Sequence, residues 1–378
     1  MMMNGWMNSI LRVNLSNGKT EKAPLEEDLA RHYVGGRGLN ARILYNETKP
    51  GIDPLGPENK LIIGAGPCNG TGVAANSRLN LTAKSPLTGF LGSSNSGGVF
   101  GAEMKYAGYD AIIIEGKSDN PVYLWIDNDD VELRDAGKLW GKTAFEARKI
   151  IQREVGHPDI GVIGIGPAGE NLVRFASVTS DWGRSNGKTG MGAVMGSKHL
   201  KAIAVRGTQG VKVAQGEVIE KYNRELLRQW RDNETVVLHP DITMAKVADI
   251  YKEYGSTFYF VVENDVLGSL PIKNYQEGTW GDKAHAFYPQ GLKEKYYLKP
   301  RSCFSCFMPD DRGYVITEGP FAGTWGTGLQ NMQMYSLGTM MGIDDPDAMV
   351  RATALCDMYG LDVSMIGGII AWGMECYE

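Results

Sequence analysis

The stretch Cys303–Asp362 holds the side chains whose types and spacing could do chemistry. Cys303 and Cys306 form a C-x-x-C pair, and thiolates at this spacing can bind one metal centre, either zinc or an iron–sulfur cluster. Neither a second C-x-x-C nor an H-x-x-x-H follows, so the sequence does not encode a closed structural zinc site. Asp310 is a candidate oxygen ligand, although Asp310-Asp311 is equally typical of a solvated turn. The pair therefore predicts a metal site, and the sequence does not identify its remaining ligands.

The same stretch ends in CDMYGLD, where an acidic residue precedes a Gly-Leu turn. Asp357 in this position can bind a polar cofactor. The turn follows a predicted helix, Ala348–Gly360, for which Asp344 or Asp345 is the N-cap and Gly360 the C′ residue. A thiol pair and an acidic turn thus lie within one segment.

Three glycine-rich runs precede the cysteine pair. They are Gly183–Ile203 with Arg184 and Lys188, Ser93–Ile112 with Asn95, Gly97 and Gly98, and Gly35–Tyr45. Closely spaced glycines let main-chain N–H groups converge on an anion, and basic side chains add charge. No run has the G-x-x-x-x-G-K-[ST] order of a P-loop, and each alone is more typical of a tight turn before a helix. Together with Arg78, between Asn76 and Asn80, they indicate a large multi-phosphate or polycyclic cofactor.

Composition limits the class of protein. The chain has 378 residues, of which 43% are hydrophobic and 22% charged, as in globular proteins of two or three domains. A net charge of -5 argues against a broad nucleic-acid surface. We expect neither a membrane span nor a secretion signal, because no long uncharged apolar run and no basic leader is found. Five cysteines, an odd number, fit a reducing compartment, so we expect a cytoplasmic protein.

Residues 1–210 are predicted to be β-rich. Segments rich in apolar residues and bounded by turn residues mark strands at Ile10–Leu15, Lys60–Pro67, Arg78–Pro86, Asp110–Lys117, Pro121–Asp127, Ile160–Gly166, Val173–Thr179 and Leu200–Gly207. Ser16–Thr20 carries the Asn-Gly of a tight hairpin. Two helices, Leu25–Tyr33 and Thr143–Glu154, interrupt the strands. So few helices favour packed sheets over a doubly wound sheet.

Residues 211–378 are predicted to be mainly helical. In Glu217–Asp232, the apolar residues Ile219, Tyr222, Leu226 and Trp230 share one helical face. The chain is therefore predicted to be an α+β protein, with a β-rich, cofactor-binding domain at 1–210. The domain at 211–378 carries the cysteine pair and the acidic turn.

Taken in chain order, these motifs resemble one family. They are GGRGLNARILY, GPCNGTGVAANSRLNLTAKSPLTG, KYAGYDAIIIEGK, GPAGENLVRFASV, GMGAVMGSKHLKAIAVRG, the Cys303/Cys306 pair and CDMYGLD. The set is similar to the tungsten-containing aldehyde:ferredoxin oxidoreductase family over nearly the whole chain. The resemblance implies an N-terminal two-sheet β domain and following helical domains. Between them it implies a tungsten (or molybdenum) ion held by a pair of pterins, with a [4Fe-4S] cluster nearby.

The resemblance also implies roles for single residues. Arg78 matches the arginine between the two pterin phosphates, and Asn95 and Ser185 match positions whose carbonyls hold a bridging Mg²⁺. Further pterin-contacting positions fall on Gly97, Arg184, Gly187 and Lys188. The family's first D-x-x-G-L-[CD] motif, which binds a pterin, falls on Asp357, Leu361 and Asp362. Cys303 and Cys306 match the first two cluster ligands.

The chain departs from the family pattern at three places. Asp310 stands where the third cluster cysteine belongs, and a carboxylate binds iron more weakly than a thiolate. Gly323 stands where the glutamate beside tungsten belongs, so the usual acid/base is absent. The family's third domain, which holds the fourth cluster cysteine, would lie beyond Glu378. Three explanations of the missing third domain stay open. The chain is a fragment, the third domain is a separate C-terminal chain, or the protein is degenerate.

The implied activity is oxidation of an aldehyde to a carboxylate, with electrons passed to ferredoxin or another electron-transfer subunit. Two alternatives stay open. One is a member of the same family that reduces an aromatic ring, and the other is a non-catalytic homologue or fragment that binds the cofactor or a partner. The implied partners are thus a small aldehyde or aromatic substrate and an electron carrier, without nucleic acid.

Overall fold

The computed structural model describes residues 3–181, 183–232, 237–239 and 242–378. These residues form two compact units. The first unit comprises Met1–Gly216, Cys303–Ser305 and Met358–Asp362. The second comprises Glu217–Ser302, Cys306–Asp357 and Val363–Glu378. Two short segments from late in the chain therefore belong to the first unit.

The first unit contains two six-stranded sheets. Its strands are β1 (Ser9–Asn14), β2 (Lys19–Pro24), β3 (Leu61–Ala65), β4 (Leu79–Lys84), β5 (Leu91–Ser96), β6 (Ala111–Glu115), β7 (Val122–Asp127), β8 (Asp130–Asp135), β9 (Gly161–Gly164), β10 (Val178–Ser180), β11 (Arg184–Asn186) and β12 (Leu200–Arg206). The strand orders are β2-β1-β6-β3-β4-β5 and β11-β10-β9-β12-β7-β8. The prediction of packed sheets in an α+β chain is confirmed.

The core of the first unit lies between the two sheets. It draws apolar side chains from both, because each sheet buries a face against the other. Examples are Ile63 and Ile112 from the first sheet, and Leu124 and Ile203 from the second. The predicted hairpin is present: β1 and β2 pair antiparallel, with Asn14 opposite Lys19. Continuous Ile, Leu and Val runs thus explain both the strands and their packing.

Helices are more numerous in the first unit than the sequence predicted. They are α1 (Glu27–Tyr33), α2 (Gly36–Glu47), α3 (Phe100–Tyr106), α4 (Ala144–Val155), α5 (Pro167–Glu170) and α6 (Met191–Ser197). The predicted helices correspond to α1 and α4, and α4 begins with a capping box between Thr143 and Glu146. Reading Gly35–Tyr45 as a turn was wrong, since α2 starts at Gly36. The predicted strand Val173–Thr179 was also wrong before Val178, where β10 begins.

The second unit is mainly helical. Its helices are α7 (Gly216–Asp232), α8 (Met244–Tyr254), α9 (Tyr259–Val261), α10 (Pro289–Tyr296), α11 (Asn331–Leu337), α12 (Pro346–Tyr359) and α13 (Val363–Tyr377), some of whose end residues belong to the first unit. Short 3₁₀ turns lie at Gly255–Phe258, Gly281–Phe287 and Thr339–Met341, and a π-helical turn at Val262–Leu267. Both predicted helices, α7 and α12, are present. Asp345 Oδ1 accepts the Asp347 amide at 2.9 Å, as expected of an N-cap.

A small antiparallel sheet in the second unit was not predicted. Its strands are β15 (Tyr297–Arg301), β16 (Asp311–Val315) and β17 (Trp325–Gly328), while β13 (Val237–His239) and β14 (Ile242–Thr243) pair separately. Across the described parts of the chain, no helix combines the length and apolar character needed to cross a membrane.

Two lysines of the GSKHLKAI segment are structural. Lys201 is fully buried and forms an ion pair with Glu170, and its Nζ also donates to the carbonyl of Lys142 at 2.7 Å. Lys198 is 1% exposed, and its Nζ donates to the carbonyls of Gly116 at 3.0 Å and Pro57 at 3.4 Å. These lysines therefore tie neighbouring segments of the first unit together through main-chain carbonyls and one ion pair.

We expect Lys198→Met to flatten the pH dependence of stability above pH 8. Burial lowers the pKa of Lys198 from 10.5 to about 8, so between these values the unfolded chain binds more protons than the native protein. Stability should therefore rise with pH in the wild type, by up to about 3 kcal/mol across this window. Urea unfolding at pH 7 to 10 measures it, with the exposed Lys117→Met as control. If the free energy of unfolding rises equally with pH in wild type and Lys198→Met, the prediction is wrong.

Candidate functional site

The ends of β5 and β11 bring two of the glycine-rich runs together within the first unit. Ser94 Oγ donates to the carbonyl of Gly187, and Asn186 Nδ2 donates to Ser96 Oγ at 2.9 Å. Asn95 lies between Ser94 and Ser96, and Ser185 directly precedes Asn186. Asn95 and Ser185 therefore belong to the two segments that these hydrogen bonds join. Both are exposed. The structure thus places two predicted carbonyl ligands at the same edge.

Arg78 lies at this edge as well. It directly precedes β4, and β4 pairs with β5 so that Leu79 is opposite Ser96; Arg78 is therefore next to Gly97. The Arg78 side chain is exposed to solvent. A hydrogen bond fixes its backbone, since Asn69 Nδ2 donates to the Arg78 carbonyl at 3.0 Å. An exposed guanidinium on a fixed backbone is suited to binding an anion.

A buried asparagine ladder supports Asn95. Asn40 of α2 donates from Nδ2 to Asn80 Oδ1 at 3.0 Å, and Asn80 donates from Nδ2 to Asn95 Oδ1 at 2.9 Å. Asn40 and Asn80 are buried, at 0% and 3% exposure. The ladder therefore orients Asn95 from the core outward. Sequence reasoning noted Asn80 only as a flank of Arg78 and missed Asn40 altogether.

Asp362 joins the edge from late in the chain. Its Oδ2 accepts the Lys188 amide at 2.9 Å, and its Oδ1 lies 3.5 Å from Lys188 Nζ. A Cβ at Gly187 would lie closer than 3.0 Å to Asp362 Oδ2, so glycine permits this approach. The preceding Leu361 forms a β-bridge with Ala176. Asp362 therefore lies against Gly187 and Lys188, and Leu361 against Ala176.

Cys303 belongs to the same unit and contacts the turn that follows β5. A Cβ at Gly97 would lie closer than 3.0 Å to Cys303 Sγ. The segment is held by Ser305, whose Oγ donates to the Gly72 carbonyl at 3.1 Å and whose carbonyl accepts the Ala75 amide at 2.8 Å. One candidate cluster ligand thus lies against Gly97, a candidate pterin-contacting residue.

Arg184 begins β11 in the first unit, whereas Asp357, Cys306 and Asp310 belong to the second unit. Asp357 is 6% exposed, and burial, together with the nearby charge of Asp311, raises its pKa well above the ordinary value. Cys306 Sγ lies 3.4 Å from the Met308 carbonyl. Asp310 Oδ2 accepts a hydrogen bond from Gln330 Nε2 at 2.7 Å. A carboxylate with this hydrogen bond is compatible both with a structural turn and with a metal ligand. The role of Asp310 as a ligand therefore stays a prediction.

Among the residues that the structure describes, no group of three or more His, Cys, Asp or Glu side chains is placed to hold a metal ion. Gly323, where the resemblance expects a glutamate, has a left-handed φ of +85°, and a Cβ there would meet no atom within 4 Å. Its amide donates to the Ile316 carbonyl at 2.8 Å. Space for a side chain therefore exists, although the backbone conformation favours glycine.

Comparison with known proteins follows the same division of the chain. Residues 10–207 match the family model for the N-terminal domain of aldehyde ferredoxin oxidoreductase, and residues 238–378 match the one for its domains 2 and 3. A tungsten-containing aldehyde ferredoxin oxidoreductase of Pyrococcus furiosus is 39% identical over 376 residues, covering 100% of this chain and 59% of the relative. The chain thus spans about three-fifths of the length of the curated relatives it matches.

Two further relatives have other activities in their names. An aliphatic sulfonate oxidoreductase, WOR-like subunit, of Pyrococcus furiosus is 32% identical over 397 residues, covering 100% of this chain and 60% of the relative. A solved active-site complex of benzoyl coenzyme A reductase with 1,5-dienoyl-CoA is 32% identical, with a TM-score of 0.87, and covers 99% of this chain and 56% of that one. Since the two family models together match most of its residues, the chain belongs to the aldehyde ferredoxin oxidoreductase family.

Proposed function

We propose that this chain is the cofactor-holding part of an oxidoreductase that oxidises an aldehyde to a carboxylate. One observation carries the proposal: residues distant in sequence meet at a single edge of the first unit. These are Arg78, Asn95, Gly97, Ser185, Gly187, Lys188, Leu361 and Asp362, and Arg184 begins the strand that contains Ser185. They are the residues that the resemblance assigns to a metal-binding pterin.

The chemistry of the edge fits a phosphate-bearing pterin. The exposed Arg78 guanidinium can bind phosphate oxygens with two parallel hydrogen bonds. The carbonyls of Asn95 and Ser185 are hard oxygen donors, the kind that Mg²⁺ prefers. Gly97 and Gly187 have no Cβ, which lets Cys303 Sγ and Asp362 Oδ2 lie directly against this edge. Asp362 offers a carboxylate at this edge, and the resemblance assigns a pterin contact to Asp357 as well.

We assign tungsten, or molybdenum, to the pterins and a [4Fe-4S] cluster to Cys303, Cys306 and Asp310. When bound, the metal would polarise the substrate carbonyl and accept electrons, and the cluster would carry them singly. The chain's own part is to hold both groups. The electrons pass to ferredoxin or another electron-transfer subunit. We place the reaction in the cytoplasm, where thiols stay reduced.

A second candidate is reduction of an aromatic thioester. It is supported by the structural likeness to the benzoyl coenzyme A reductase complex and by Gly323, which leaves no carboxylate at the position of the usual acid/base. Aldehydes and an aryl-CoA, each assayed with a viologen dye, discriminate the two. Oxidation of aldehydes alone supports the first candidate, and turnover of the aryl-CoA alone supports the second.

Metal analysis and electron paramagnetic resonance of anaerobically purified protein test the proposal. We expect tungsten or molybdenum, a pterin, and iron with the spectrum of a reducible cluster. Pterin without iron would indicate a cofactor-binding homologue without turnover. Protein with neither group, after reconstitution under reducing conditions, would refute the proposal.

Replacing Asp310 with cysteine tests its assignment as a ligand. A thiolate binds iron more strongly than a carboxylate, so Asp310→Cys should raise iron per chain or shift the reduction potential of the cluster. Asp310→Ser, which also loses the bond to Gln330, is the matched control and should lower the iron content. If both variants keep the iron content and spectrum of the wild type, Asp310 is not a ligand.

A further inference from the structure

Asp181 lies behind the turn that links β5 to α3. Its Oδ2 accepts the Val99 amide at 2.7 Å, and its Oδ1 lies 3.5 Å from Arg148 Nη1. The side chains of Asp181 and Arg148 are only 10% and 6% exposed. A buried carboxylate with a guanidinium on one side and a main-chain amide on the other is a strong acceptor. It is therefore suited to fixing backbone.

The turn that Asp181 holds approaches the carboxylate closely. Gly98 has a φ of +110°, and a Cβ there would lie closer than 3.0 Å to Asp181 Oδ2. Asp181 itself has a φ of +54°, an uncommon value for a residue with a side chain. The carboxylate and the Gly97–Val99 turn are thus in direct contact.

The same turn contacts the segment that contains Cys303. The Phe304 amide donates to the Gly98 carbonyl at 3.1 Å, and Gly97 packs against Cys303 Sγ. Asp181 is therefore linked to the segment that contains Cys303 through one turn. Its carboxylate accepts the Val99 amide, and the Gly98 carbonyl of the same turn accepts the Phe304 amide. All of these residues belong to the first unit.

We propose that Asp181 is a positioning residue that holds the Gly97–Val99 turn and, through the Phe304 amide, sets Cys303 beside the pterin edge. This role rests on the proposed function, in which Cys303 binds the cluster and Gly97 contacts the pterin. Burial raises the pKa of Asp181, while Arg148 and the bonds from Val99 and Ser180 oppose that shift. The geometry points to Asp181 as the link between the two proposed binding sites.

Amide hydrogen exchange in the cofactor-free protein tests the link. Asp181→Ala removes the acceptor, and we expect the amides of Val99 and Phe304 both to exchange about tenfold faster, because a charge-assisted bond is lost. Asp181→Asn keeps one oxygen acceptor and should restore part of the protection. The matched control is Asp127→Asn, in another Asp–Arg pair, with Arg206, away from the turn. The control should leave both amides unchanged.

Alkylation of cysteines, resolved by peptide mapping, gives a second readout. Cys303 should react several-fold faster with iodoacetamide in Asp181→Ala than in the wild type, with the exposed Cys68 as internal reference. Faster exchange at Val99 with unchanged Phe304 and Cys303 would overturn the proposal. If Asp181→Ala does not fold, Asp181→Asn answers the same question. Neither measurement requires a bound cofactor, so both can be interpreted even if the proposed function is wrong.

Discussion

Gly97→Ala is expected to remove most of the proposed cluster while leaving the two sheets folded. A methyl group at this position would lie closer than 3.0 Å to Cys303 Sγ, a separation that real Cβ atoms do not show. The Phe304 amide and the Ser305 side chain tie the backbone of this segment to neighbouring backbone, so the clash cannot be relieved by moving the whole segment. The thiol or the turn must shift, at a cost of about 1–3 kcal/mol.

Iron per chain and the paramagnetic signal of the reduced protein measure this effect. Metal ligands must be held within about 0.5 Å of productive geometry, so we expect iron to fall to roughly a tenth of the wild-type value. Gly66→Ala is the matched control, since a Cβ there would meet no atom within 4 Å and its φ is not left-handed. Circular dichroism should be unchanged in both variants. Wild-type iron in Gly97→Ala would show that Cys303 is not held against the turn.

Arg78→Ala is expected to remove most of the bound pterin without destabilising the fold. The side chain is exposed, and substitutions at such positions usually change stability by less than about 0.5 kcal/mol. Loss of a bidentate bond to phosphate removes two charge-assisted hydrogen bonds, each contributing about 1.5–3 kcal/mol. The affinity should therefore fall by a factor of about 100 or more.

Pterin released by oxidation and measured by its fluorescence gives the occupancy per chain. Arg78→Lys keeps the charge but not the planar pair of donors, and should retain an intermediate amount. Arg37→Ala removes another exposed arginine, at the start of α2, and serves as control. A pterin content in Arg78→Ala equal to that of Arg37→Ala would remove Arg78 from the site.

The sheets could be predicted from sequence because their strands carry a local signal. Runs such as DAIIIEGK and KLIIGAGP are apolar, β-branched and bounded by turns, so pattern and structure agree. The small sheet of the second unit has no such signal. YLKPR contains Pro300 and WGTG is half glycine, so β15 and β17 depend on pairing with β16 rather than on propensity. Helix α2 was missed because glycines at its start resemble a turn.

The site divides in the same way. Arg78, Asn95 and Lys188 could be named from sequence because they lie in glycine-rich motifs or match a family pattern. Asn40 and Asp181 could not, because their roles arise only when distant segments pack: Asn40 reaches β4 from α2, and Asp181 reaches a turn 82 positions earlier. No sequence spacing encodes such contacts. Supporting residues are therefore the part that only coordinates reveal.

The late segments of the first unit have a consequence for biosynthesis. The bond between Lys188 and Asp362 spans 174 positions, and that between Gly72 and Ser305 spans 233. The sheets can form as soon as the first 216 residues leave the ribosome, since domains fold as units during synthesis. The edge proposed to bind the pterin stays incomplete until Asp362 emerges. The proposed function therefore implies that the cofactor is loaded late, onto a scaffold that has already folded.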